Sequence, residues 1–255
     1  MEEAFSFNDL QGHRTAAVLS RPAKPSDRVA VLCHGFLSSK NSTTNKTLTH
    51  MLTECGIATF RFDFFGQGES EGPFERLTTT LAVGQATAAL DLIVARGFRR
   101  IGLMGSSFGG MVSILTAAQR GDLACLALKC PVVDFAEELR VEFGEEEMTR
   151  WKATDTIPNI MGGSGRIRLA YGFYEDCLRQ IAYGQAKAIT APTLIVQGDK
   201  DECVPLHQSR RFFEALQTKK RLEMLPGADH QFTKAEDFFA MTTQIADWLT
   251  SHLVG

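Results

Sequence analysis

The 255-residue sequence has no Cys-x-x-Cys pair and no tight cluster of cysteine and histidine, which argues against a structural zinc site. Its six cysteines, Cys33, Cys55, Cys125, Cys130, Cys177 and Cys203, are scattered. A chain this long needs no disulfide to stand, so they are expected to be free and mostly buried thiols. A basic surplus is missing too. Lys and Arg number 27 against 30 Asp and Glu, and a net charge of −3 makes no case for nucleic acid. The start, MEEAFSFNDL, is acidic where a signal peptide needs basic residues. The longest charge-free run, residues 101–119, carries four glycines, two adjacent serines and a glutamine, so a buried strand-turn-helix explains it better than a membrane span. The expectation is a soluble cytoplasmic protein with no nucleic-acid partner and no stable membrane association.

What is present is an ordinary globular composition, 44% hydrophobic and 22% charged, with apolar runs of strand length. VAVLCHG (29–35), IATFRFDFFG (57–66), RIGLMG (100–105), CLALKCPV (125–132), TLIVQGD (193–199) and the more alternating RLEMLPG (221–227) are the strand candidates. Continuous apolar strands suit a parallel sheet covered on both faces. Helical patterns over 44–55, 77–96, 108–119, 207–217 and 235–253 fall between or after them. The alternation predicts an α/β protein with a doubly wound, mostly parallel sheet and right-handed crossovers. The N-terminal piece can add one or two antiparallel edge strands. From about 134 to 189 no convincing sheet strand is visible, and about 50 residues are too many for an ordinary loop. Residues 1–133 and 190–255 are therefore read as two parts of one core, with 134–189 a cap over the strand ends. MGGSG (161–165) lacks the G-K-[ST] ending of a phosphate loop and is read as a turn.

The chemistry centres on IGLMGSSFGGM (101–111), where Gly105-Ser106-Ser107-Phe108-Gly109 has the spacing G-x-S-x-G. Glycines at both flanks leave room for an abrupt strand-to-helix turn that exposes Ser107 at a strand's carboxyl end. Ser106 has the wrong spacing and is expected to be structural. A serine hydroxyl needs a base, and the base an orienting acid. Among six histidines, His230 in LPGADHQF follows the last strand candidate across a Gly-containing loop. Asp199 and Asp201, in LIVQGDKDECVP, lie just past a strand end and upstream of it; Asp201 is the first choice and Asp199 the alternative. The order Ser, Asp, His fits one known arrangement of such a triad. Negative charge on a tetrahedral intermediate needs backbone donors, for which the N–H groups of Phe36, after His34-Gly35, and of Phe108 are candidates. His34 is expected to brace its loop and not to carry protons.

Together, HGF, RFDFFGQGES, GSSFG, GDKDECVP and GADH, in this order along nearly the whole chain, resemble the α/β-hydrolase family of serine hydrolases. Within it the chain is most similar to small bacterial carboxylesterases of the cinnamoyl/feruloyl type, and akin to monoacylglycerol lipases and serine aminopeptidase-like hydrolases. The resemblance implies an α/β-hydrolase fold and a carboxylesterase in which Ser107 attacks the ester carbonyl, His230 accepts its proton and Asp201 orients the imidazole. It implies no metal and no organic cofactor. In Asp63, Gly66, Gly68 and Ser70 it implies residues that shape a loop. In feruloyl-esterase relatives the cap holds the aromatic acid, so Glu137, Glu138, Tyr171 and Tyr174 are the candidates to reach a phenol. Aryl esters and short to medium acyl esters fit equally well. An aminopeptidase or amidase, a lipase and a non-catalytic binding protein remain as alternatives, and pairing of two copies through the cap or an edge strand stays open.

Overall fold

The computed structural model describes residues 1–159 and 165–255. The chain starts with an antiparallel hairpin, β1 (Glu2–Asn8) and β2 (Arg14–Ser20), then alternates: β3 (Arg28–Cys33), α1 (Thr43–Glu54), β4 (Ala58–Phe62), α2 (Thr79–Ala95), β5 (Arg100–Ser106), α3 (Phe108–Ala117) and β6 (Leu123–Lys129). Next come α4 (Phe135–Thr154), β7 (Thr156–Pro158), β8 (Arg166–Arg168) and α5 (Gly172–Arg179). β9 (Thr193–Gly198), α6 (Leu206–Ala215), β10 (Lys220–Leu225) and α7 (Ala235–Val254) complete it. The eight-stranded sheet has the order β1-β2-β4-β3-β5-β6-β9-β10. The six strands from β4 to β10 in that order are parallel, and β2 joins β4 antiparallel. All six sheet strands read from the sequence form, and the N-terminal piece adds two antiparallel strands, of which β1 is the edge and β2 lies between it and β4.

Period-two side-chain alternation sends each central strand into two cores. Val29, Val31 and Cys33 of β3 pack with Leu81 and Leu90 of α2 and Met111 of α3. Ala30 and Leu32 pack on the other face with Leu48 and Leu52 of α1 and Ile245 and Leu249 of α7. Local capping fixes the helix starts: Ser42 Oγ accepts from the Asn45 N–H, Thr78 Oγ1 from Leu81 and Asp134 from Glu137. No described helix is long and apolar enough to cross a membrane.

The long connection between β6 and β9 holds structure of its own. β7 and β8 form a two-stranded antiparallel ribbon apart from the main sheet, where the sequence showed no strand; three residues each are too few to produce a readable alternation. MGGSG lies outside the described residues except for Gly165. α4 breaks at Gly144, whose φ of 68° and ψ of 173° no helix accommodates. The segment is tied to the core: Asp176 of α5 accepts from the N–H and the hydroxyl of Thr80, at 2.8 Å each. Phe173 joins a cluster with Phe36, Phe108 and Phe135 at centroid distances of 5.4–6.0 Å.

Candidate active site

Four loops at the carboxyl ends of parallel strands converge. Ser107, between β5 and α3, has φ 51° and ψ −115°, a strained conformation for a non-glycine residue. Three close approaches force that turn. A Cβ on Gly105 would lie 2.2 Å from the Gly109 carbonyl oxygen, and one on Gly109 would lie 2.4 Å from the carbonyl oxygens of Cys33 and His34. The Ser107 N–H donates to the Lys129 carbonyl at 2.9 Å. Its hydroxyl holds no hydrogen bond among the described residues and lines a cavity of about 210 Å³ shared with Gly35, Phe36, Lys129, Phe135, Glu138 and His230. A larger groove of about 650 Å³ lies at the opposite, amino-terminal ends of β3 and β5 and is lined by no histidine.

His230, in the loop between β10 and α7, is nearly buried. Its Nδ1 lies 3.0 and 2.9 Å from Oδ1 and Oδ2 of Asp201. Asp201 also accepts from the N–H groups of Cys203 and Val204 and from Gln197 Nε2 at 2.6 Å, while Ser209 Oγ donates to Gln197 Oε1. Burial alone would raise the Asp201 carboxyl, but the His230 hydrogen bond and charge, with the Val204 N–H and Cys130 thiol, bring it below the usual carboxylate range. An ionised Asp201 can only accept, so His230 Nδ1 carries the proton and Nε2 is left as the basic nitrogen. Asp199 does different work: its Oδ1 accepts from the Gly227 N–H and closes the turn after β10. Of the two aspartates, only Asp201 touches the imidazole.

The N–H groups of Phe36 and Phe108 donate to no hydrogen bond among the described residues, and Phe108 opens the first turn of α3, where such groups are orphaned. His34 Nδ1 lies 2.8 Å from the Gly35 carbonyl and Nε2 accepts from the Phe64 N–H at 3.0 Å. Burial brings its pKa down to about 4, so it stays neutral and braces the loop. Asp63 accepts from Lys40 Nζ at 2.6 Å and from the N–H groups of Lys40 and Glu69, and a Cβ on Gly68 would strike its carboxylate. Ser70 Oγ donates to the Asp63 carbonyl, and Gly66 leaves room for the Phe74 backbone. The segment shapes a loop and lines no part of the cavity.

Cys130 Sγ, Asp201 and His230 offer three donor atoms within 4.8 Å. These atoms are engaged with one another: Asp201 accepts from His230, Gln197 and two backbone N–H groups, and burial pushes the Cys130 thiol up.

The four cap residues separate. Glu138 lines the cavity, and its Oε2 is buried without a hydrogen-bond partner among the described residues. Glu137 lies outside it, held by His207 Nε2 at 3.0 Å and Gln208 Nε2 at 2.9 Å. Tyr174 accepts from Arg140, and the Tyr171 ring packs on Trp151 at 5.4 Å, so neither lines the cavity. Glu137, one residue and about 100° away around α4, faces His207 and Gln208 of α6 instead of the cavity. Lys129 and Gln197 were not read as site residues; the signal was a long polar side chain at the carboxyl end of each of two mostly apolar strands.

Burial, then the charges of Glu142 and Asp201, raise the Glu138 carboxyl well above its ordinary value of 4.5. The folded state then binds that proton more tightly than the unfolded chain, so stability falls as pH rises from the ordinary value toward the raised one. Glu138→Gln is expected to gain thermal stability relative to wild type as pH goes from about 5 to about 8. Melting curves across that range check it; a constant difference would mean that the carboxyl ionises normally.

Residues 46–255 match the sequence profile of the prolyl oligopeptidase family. The chain belongs to that family. Among similar proteins are a monoacylglycerol lipase from Mycolicibacterium smegmatis, 23% identical over 97% of each chain, and a mitochondrial palmitoyl-protein thioesterase from Rattus norvegicus, 24% identical over 91% of this chain and 82% of the other. Est1E from Butyrivibrio proteoclasticus, solved with ferulic acid bound, superimposes with a TM-score of 0.85 at 23% identity, covering 99% of this chain and all of the other. This prolyl oligopeptidase family member is a serine hydrolase with the α/β-hydrolase fold.

Proposed function

We propose that the protein is a carboxylesterase that hydrolyses aryl or short to medium acyl esters through an acyl-enzyme on Ser107. The observation that carries this reading is one cavity lined by a strained, unbonded serine hydroxyl and by a histidine whose far nitrogen is fixed on a buried aspartate. In this reading His230 Nε2 takes the Ser107 proton as Oγ attacks the ester carbonyl, and the Phe36 and Phe108 N–H groups stabilise the oxyanion. Collapse expels the alcohol, which leaves with the proton from His230. Water, deprotonated by His230, then frees the acid and restores Ser107. No cofactor takes part.

Substrate choice falls to residues 134–189 as a cap. Phe36, Phe135 and Phe143 supply apolar and aromatic wall, and Glu138, whose carboxyl burial biases toward the protonated form that can both donate and accept, is placed to meet a hydroxyl on the acyl group. Ferulic acid in Est1E supports an aryl acid as one such group. Six free thiols support a reducing, cytoplasmic location.

The family match favours a second reading, an aminopeptidase or amidase using the same residues. Initial rates on p-nitrophenyl butyrate, methyl ferulate, a palmitoyl thioester and an aminoacyl p-nitroanilide separate the two. The esters are expected to exceed the anilide in kcat/KM by on the order of 10²-fold or more. An anilide that equals or beats them replaces the first reading with the second.

A further inference from the structure

Lys129 has no counter-ion among the described residues. It ends β6 and is 4% exposed. Its ammonium donates to the His230 carbonyl at 2.9 Å and lies 5.3 Å from the centre of the Phe232 ring. Its own carbonyl accepts from the Ser107 N–H at 2.9 Å. One residue therefore grips the serine turn with its backbone and the histidine loop with its side chain. The amino side of His230 is held as well, because its N–H donates to Glu202 Oε2 at 3.1 Å. Taking an ammonium out of water costs more than a single neutral acceptor returns, so packing alone would be served better by methionine.

The geometry points to Lys129 as a positioning residue that sets His230 against Ser107. Asp201 fixes the imidazole at Nδ1 only, and rotation about that contact is limited by where the His230 main chain is held. The loop has reason to move, since Phe232 is kept at φ 54° two residues on. Without the ammonium the His230 carbonyl loses its donor and Nε2 can drift from the Ser107 hydroxyl, while methionine, close to lysine in length, keeps the stretch of cavity wall that Lys129 supplies.

The inference rests on Ser107 and His230 acting as proposed above, and the test separates the two claims. Lys129→Met is expected to lower kcat for p-nitrophenyl butyrate by about 10²-fold, as a displacement of about 1 Å can, with KM within about threefold of wild type. Labelling of Ser107 by a p-nitrophenyl phosphonate should slow in parallel. In Lys129→Ala, added propylammonium should restore turnover by on the order of tenfold, and tetramethylammonium, which has the charge but no donor, should not. A Lys129→Met protein that keeps kcat within about twofold of wild type overturns the positioning role. So does a loss explained by the unfolded fraction alone, or a Lys129→Ala protein that propylammonium leaves unchanged. A wild type inert toward esters and unlabelled by the phosphonate overturns the esterase reading, and this role with it.

Discussion

Replacing Ser107 with alanine is expected to lower turnover of p-nitrophenyl butyrate by about 10⁴–10⁶-fold, as loss of other serine nucleophiles does. The fold should be untouched. The Ser107 side chain makes no hydrogen bond among the described residues, so alanine removes no contact that holds the turn, while the glycines that shape it and the bond from the Ser107 N–H to Lys129 remain. Strain at φ 51° is the same for alanine as for serine, because both carry a Cβ. The variant should therefore melt with the wild type and keep ester affinity, so that the loss falls on kcat. Residual hydrolysis above the uncatalysed rate is expected from the N–H groups of Phe36 and Phe108, which donate to nothing else among the described residues and need no nucleophile to bind an oxyanion. Equal turnover by the two proteins would remove Ser107 from the chemistry altogether.

The parts of this molecule that could be read in the sequence are those set by local constraint. A parallel strand buried on both faces must be a continuous apolar run, so β3, β5 and β9 were visible, and their carboxyl ends located Ser107 and Asp201. The tight turn at Ser107 was legible because only glycine tolerates backbone at 2.2–2.4 Å from its Cβ direction. Long-range pairing was not legible. Nothing near Glu137 in sequence announces His207, 70 residues on, and nothing near Lys129 announces the His230 carbonyl, 101 residues on. The cap was the hardest part for a related reason. Its ribbon strands are three residues long and α4 is bent at Gly144, and while helical period separates Glu137 from Glu138, tertiary packing decides which of the two faces the cavity. Glu138 reached the cavity and Glu137 did not, a difference of one residue that composition cannot resolve.

Asp201→Asn is expected to cost about 10⁴-fold in kcat, through the imidazole and not through the fold. The side chain keeps its size, and its oxygen can still accept from the Cys203 and Val204 N–H groups at the Oδ1 position. The amide nitrogen must then take the Oδ2 position, 2.6 Å from the Gln197 amide nitrogen and 2.9 Å from His230 Nδ1. Gln197 meets the amide by turning its oxygen inward, where Ser209 Oγ can accept from its Nε2 in place of donating. His230 meets it by a change of tautomer: its proton moves to Nε2, and Nδ1 accepts from the new amide. That tautomer points a proton at Ser107 where a lone pair is required, so the base is lost with every heavy atom in place. Asp199→Asn, two residues away, disturbs only the Gly227 turn and should leave kcat within about threefold of wild type. Measuring the two variants side by side decides between the aspartates: a deep loss in Asp199→Asn with an active Asp201→Asn would reverse the assignment. An acid scan adds an independent check. The Asp201 carboxyl is held below its ordinary value of 3.8, so its ionised form stabilises the wild type above that value and the gain is lost as pH falls through the lowered one. Asparagine has no such proton to take up, and the variant should therefore lose less stability than the wild type over that acidic interval.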